Sequence, residues 1–177
     1  MKYLFFCVGI LFISAFAMQD VKFPKSALKK IDRSITNTWG VEEYNKSPIS
    51  LSGIDFELTG LENVNVIEGT DSEPLGYMVL SKGRGKYDYF DLMVLYDKEL
   101  KIVASEVLVY REDYGGEIGS GRWLKQFVGK NITSEFKLSN DVQGISGATI
   151  SVRSATQEFK RLTRLMEQLK NQNKLNI

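Results

Sequence analysis

The sequence contains no histidine. Imidazole general bases, Ser-His triads, His-ligated zinc and His-ligated haem are therefore excluded. It has a single cysteine, Cys7, which excludes iron–sulfur clusters, Cys-rich zinc sites and an internal disulfide. It also lacks a surplus of either charge: 23 basic residues stand against 22 acidic ones. General nucleic-acid binding needs clustered basic charge to displace counterions, so a nucleic-acid partner is not expected. It has little uninterrupted hydrophobic chain: the uncharged run from Tyr3 to Ala17 has 15 residues, short of the ~20 that a membrane span requires. The chemistry left to the chain is that of carboxylates, hydroxyls, backbone amides or a borrowed cofactor.

The N-terminal run reads as an address. Lys2 gives a short positive start, and Ala15-Phe16-Ala17 closes the run with small residues where a signal peptidase cuts. Residues 1–17 are expected to be a signal peptide and residues 18–177 a single domain beginning at Met18, with an uncleaved signal anchor as the alternative. Removing residues 1–17 takes away Lys2 and Cys7, so basic and acidic residues become equal in number and no thiol remains. A thiol-free chain suits an oxidising compartment, periplasmic or on the outer face of the cytoplasmic membrane.

With 177 residues, 43% of them apolar and 25% charged, the remainder has the size and composition of one globular domain. Leu28, Ile31, Ile35 and Trp39 keep a helical spacing after Pro24, and Gly40 is the stop. Residues 41–48 read as a connection, and 49–67 as strand-like but punctuated by glycine. Leu75–Leu80, Tyr87–Tyr96 and Ile102–Tyr110 read as an antiparallel meander, with Ser81–Lys86 as a Gly-rich turn. Four glycines within residues 111–121 preclude a strand or helix there. A short helix follows at 122–128, then irregular chain to 145. Residues 150–170 form an amphipathic helix, with Val152, Ala155, Phe159, Leu162, Leu165, Met166 and Leu169 on its buried stripe and Lys160, Arg161, Arg164 and Lys170 on its wet face. The expected class is α+β: an antiparallel sheet with flanking helices and a long C-terminal amphipathic helix.

Immediately before that helix stand Ser146, Gly147, Ala148 and Thr149. A small-residue turn feeding a helix start offers free amides and the positive end of the helix dipole to an anion. Thr149 sets a hydroxyl at the same place, and Ser151 and Arg153 add a donor and a charge. The alternative on the same residues is an ordinary N-cap, with Ser146 or Thr149 satisfying orphan amides. Glu112, Asp113 and Glu117 read as a solvated acidic loop rather than a metal or acid–base cluster.

Ser146-Gly147-Ala148-Thr149-Ile150-Ser151 resembles the S-G-A-T-x-[ST] signature of FMN-binding domains, such as the flavin-carrying C subunit of sodium-pumping NADH:quinone reductase and the G subunit of Rnf electron-transport complexes. The similarity covers about residues 60–165. A strand pair is followed by Glu112-Asp113-Tyr114-Gly115 in the place of a Glu-Thr-Pro-Gly-like segment. The Gly-rich loop from Gly116, then Trp123, Gln126 and Phe127, precede the signature in the same order. The sequence departs from the family pattern at Gln143, where an acidic residue is usual, with Asp141 two positions earlier, and at Asp113 and Tyr114.

The resemblance implies FMN joined through its phosphate to Thr149 by a dedicated flavin transferase. It makes Ser146, Gly147, Ala148, Ser151, Glu112, Tyr114, Gly115 and Gly116 the further cofactor-binding candidates, Tyr114 as a ring that could stack on the flavin. The implied role is an exported electron carrier between membrane or exported redox partners, with no catalytic residues of its own. A cofactor-free binding or sensory module with the same fold, and a small reductase acting on an external acceptor, are the competing readings.

Overall fold

The computed structural model describes residues 23–175; the expected signal peptide, Cys7 and the cleavage before Met18 lie outside them. Five antiparallel strands follow one another in space as they do in sequence: β1 Asn45–Pro48, β2 Asn63–Glu68, β3 Pro74–Arg84, β4 Tyr89–Tyr96 and β5 Ile102–Val109. Helix α1, Lys25–Trp39, covers one face and α3, Thr149–Asn171, the other, with the short α2, Gly121–Leu124, beside α3. The molecule is α+β, as the pattern of elements leads one to expect.

Strand alternation sorts the core into two layers. Phe90, Leu92, Val94 and Tyr96 of β4 point toward α3, and Met93 and Leu95 toward α1. The whole expected stripe of α3 is buried, and Phe159 stacks on Phe127 with ring centroids 3.7 Å apart. The α1 stripe is rotated from its expected position. Ala27, Ile31, Ser34 and Ile35 face the sheet, whereas Leu28 is 50% exposed. Gly40 ends α1 in the left-handed conformation, its N–H donating to the Thr36 carbonyl at 2.8 Å.

Three boundaries differ from expectation, each for a physical reason. The connection at 41–48 contains strand β1, a polar edge strand that pairs with β2 through its backbone and through the Ser47 hydroxyl, which donates to the Glu68 carboxylate at 2.9 Å. Within 49–67 only Asn63 onward is strand. β3 runs through the glycine-rich segment to Arg84, because Gly83 lies beneath Phe90: a Cβ there would meet the ring at 2.1 Å. The turn is thereby reduced to Gly85–Asp88 and takes in Tyr87.

The irregular chain at 57–62 is fastened to α3 by charge. The Glu62 carboxylate accepts from the Thr59 hydroxyl at 2.7 Å and amide at 3.1 Å, and from the Leu61 amide at 3.1 Å. Arg161 lies 2.5 Å from it and 2.7 Å from Glu158, which in turn accepts from the Ser81 hydroxyl. Burial works to raise the Glu62 pKa, but the Thr59 bonds and the Arg161 charge outweigh it and hold the carboxyl below its ordinary value. Arg161 thus belongs to a half-buried network and not to the wet face of the helix. Among the described residues no helix is long and apolar enough to cross a membrane.

Candidate functional site

Helix α3 begins at Thr149 with Ala148 in the cap position and no side chain capping it. Gly147, at φ 79°, makes the turn into the helix, a conformation that favours glycine, and a Cβ there would meet nothing within 4 Å. Ser146 is exposed and does not occupy the cap. The N-cap reading of the signature is therefore not realised: the first amides of a 23-residue helix are left without a side-chain acceptor. Because Ser146 caps nothing, Ser146→Ala is expected to change unfolding free energy by no more than about 0.5 kcal/mol; urea denaturation checks this, and a loss near 1 kcal/mol, the usual cost of a deleted cap, would reinstate the hydroxyl as one.

An open cleft of about 380 Å³ adjoins this helix start. Its walls come from three segments: the signature turn from Gly147 to Ser151, Glu112 and Tyr114 of the loop after β5, and Lys86 and Tyr87 of the β3–β4 turn. Thr149 and Ile150 are exposed at it. Tyr114 is 82% exposed, so its ring is open to the cleft and not packed in the core. The Tyr87 phenol and, beyond it, the Glu112 carboxylate hold the Lys86 ammonium above its ordinary pKa, so it is charged at neutral pH.

The Gly-rich loop is joined to the signature at one point. Gly115, at φ 82°, packs so closely that a Cβ would sit 2.7 Å from the Ala148 Cβ. Tyr110 locks that contact: its hydroxyl donates to the Tyr114 carbonyl at 2.8 Å, and the Ser151 hydroxyl, 3.1 Å away, is left to donate to the Tyr110 oxygen. Ser151 is accordingly buried and already partnered. Gly116 opens a 3₁₀ turn, Gly116–Gly119, that buries Ile118; it does not line the cleft. Asp113 and Glu117 are exposed, but Glu112 is not merely solvated, since one of its oxygens accepts from the Tyr87 and Asp88 amides.

The approach to the signature is clamped from the other side. Trp123 donates its indole N–H to the Gln143 carbonyl at 2.8 Å, and the Gln126 side-chain oxygen accepts the Gln143 amide at 2.7 Å. This is what the Trp123-to-Phe127 stretch does for the signature, and it depends on the backbone of Gln143 rather than its side chain. Asp141 is spent elsewhere: it pairs with Lys130 and accepts from the Phe136 and Lys137 amides. It therefore does not replace the acidic residue that Gln143 lacks. Among the described residues no cluster of acidic side chains could hold a metal.

An uncapped helix start, a glycine turn, an exposed hydroxyl and a cleft flanked by two exposed tyrosines suit an anionic group attached to a flat ring. Residues 85–163 match the model of the family described as FMN-binding domain. The match supports an FMN-binding domain in this part of the chain and, with it, a flavin-binding protein. No curated protein matches it. The residues fit the cofactor: the orphan amides suit a phosphate, and the open space at Gly147 leaves room for it. Tyr110 and Tyr87 were not singled out from the sequence as site residues. A tyrosine ending one strand and another in a hairpin turn carry no signal until the turn and loop are brought to the same helix start.

Proposed function

We propose that the protein is an exported electron-transfer flavoprotein carrying FMN covalently through its phosphate on Thr149. The observation that carries this reading is the exposed Thr149 hydroxyl at an uncapped helix start, within a matched FMN-binding domain. In the attachment step the Thr149 hydroxyl passes its proton to a base of the transferase and its oxygen bonds to the flavin-side phosphorus of a flavin dinucleotide, whose phosphoanhydride bond breaks to release a nucleoside monophosphate. The bound flavin supplies one- and two-electron chemistry. The chain's own residues orient and tether it: the amides at the start of α3 face the phosphate, Gly115 keeps the loop close, and Tyr110 fixes loop to helix. A tether suits a carrier outside the cytoplasm, because cofactor lost by dissociation is not readily replaced there, and it keeps the effective concentration high without a deep pocket.

Export is supported by the N-terminal address and the thiol-free remainder of the sequence. Intact-mass spectrometry of protein purified from cells that also make a flavin transferase tests both parts. The expected mass is that of the chain from Met18 plus one flavin mononucleotide in phosphoester linkage. A flavin-free mass despite an active transferase would favour the cofactor-free binding module, and a chain retaining residues 1–17 would favour the signal anchor.

A further inference from the structure

The β3–β4 turn is built in a way its own hairpin does not need. The Gly85 N–H donates to the Asp88 carbonyl at 2.7 Å, which already closes the turn. Yet Glu112 reaches in from the loop after β5, and one carboxylate oxygen accepts the Tyr87 amide at 2.6 Å and the Asp88 amide at 2.8 Å. A Cβ on Gly85 would sit 2.3 Å from that same oxygen, so the glycine makes room for the carboxylate. At the root of the turn the Arg84 amide donates to the Ser154 hydroxyl at 2.7 Å, which pins the hairpin to α3 five residues beyond Thr149. Loop, hairpin and attachment helix are thus fixed to one another. The side chain held by this fastening is Tyr87, 73% exposed on the cleft, with the Lys86 ammonium 4.8 Å from its ring centroid. Burying a large ring elsewhere would be the usual outcome; here the backbone is immobilised and the ring left open.

We infer that Tyr87 is a ring-stacking wall of the flavin site and that Glu112 is a positioning residue that sets the hairpin, rather than a group that touches the cofactor. The inference rests on the flavin reading above. An offset stack on a flat heteroaromatic ring needs an aromatic face whose backbone does not move. Lys86 adds a positive charge beside that face, which favours the flavin as it takes up electrons.

Flavin emission is quenched by a stacked tyrosine, so the full chain is co-expressed with a flavin transferase and its native fluorescence compared with that of the denatured sample. A Tyr114→Leu background removes the other exposed tyrosine of the cleft. In that background Tyr87→Leu is expected to raise native emission several-fold, and Tyr87→Trp to restore the quenching. Glu112→Ala is expected to brighten the native protein as Tyr87→Leu does, and Glu112→Gln, which keeps an acceptor oxygen, to reverse most of that. In protein made without the transferase, hydrogen exchange at the Tyr87 and Asp88 amides should speed up in Glu112→Ala and not in Glu112→Gln. Flavin attached at Thr149 with the same native-to-denatured ratio in Tyr87→Leu as in its parent overturns this inference alone. A protein that takes up no flavin overturns the flavin reading and the inference with it, and unchanged exchange in Glu112→Ala removes the positioning role.

Discussion

Thr149→Val is expected to abolish covalent flavin altogether while leaving the fold intact. A phosphoester needs a hydroxyl oxygen, and valine replaces that oxygen with a methyl group of nearly the same shape. Thr149 is exposed at the first position of α3, and threonine and valine have similar helix propensities, so the stability change should stay within about 0.5 kcal/mol. Thr149→Ser keeps the hydroxyl and should retain part of the modification. The measurement is in-gel flavin fluorescence of denatured protein co-expressed with a transferase, with urea denaturation as the control for folding. Fluorescence that persists in Thr149→Val would move the attachment site to another residue and sink the proposed chemistry.

Arg161→Met is expected to cause the largest loss of stability, about 3 kcal/mol, because it leaves the Glu62 carboxylate without its counter-charge. The Glu62 side chain is 1% exposed and Arg161 keeps 23%, which places the loss toward the lower end of what breaking a fully buried pair costs. The pH dependence separates this charge effect from lost packing. Since the folded-state pKa of Glu62 is held below its ordinary value, its contribution is complete above the unfolded value of about 4.3 and fades as pH falls through the folded one. The gap between wild type and Arg161→Met should therefore narrow below about pH 4. Urea denaturation at pH 7, 5, 4 and 3 reads it. A gap of constant size across that range would mean that the arginine acts through its packing alone.

The parts of the fold that could be read in the sequence are those in which one element's pattern answers to one environment. The α3 stripe was legible because it packs on a single apolar layer, and β4 and β5 because apolar, largely β-branched, aromatic and aliphatic residues dominate both strands on either side of a short polar turn. β1 was not, since Asn45–Pro48 contains no apolar side chain except that of Pro48 and gains its strand geometry from pairing with β2. The end of β3 was hidden because Gly83 is read locally as a turn former, whereas the Phe90 ring above it decides the matter. Leu28 misled for a similar reason: helical spacing is shared by two adjoining faces, and only the sheet chooses between them.

At the site, the signature and its hydroxyl were legible as a contiguous string. The cleft was not, because its walls lie 25 or more residues apart in sequence and are joined by hydrogen bonds to backbone, which leave no trace in side-chain pattern. Glu112 shows the difference. As one of three acids in a polar loop it looks like a solvated charge; its role is visible only once the Tyr87 and Asp88 amides are placed beside it. Ser151 shows the converse, a plausible ligand by position whose hydroxyl is engaged with Tyr110.

The order of the strands has a bearing on when this site can come into being. Every neighbour in the sheet is also a neighbour in the chain, so pairing can proceed by short loop closures as soon as each strand is made. The apolar layer beneath Phe90, Leu92 and Val94, however, is covered only in part by Trp123, Leu124 and Phe127 until α3 arrives, and α3 is the last of the described elements. That late helix carries Thr149 on its first turn, and the wall opposite it is set by a hairpin made much earlier. Docking of α3 is thus a single event that seals the core and presents the hydroxyl in its helical setting. On the proposed attachment, a transferase that reads the turn at Gly147 as a shape would act on finished molecules and pass over unfinished ones, and cofactor loading would then report the completion of folding.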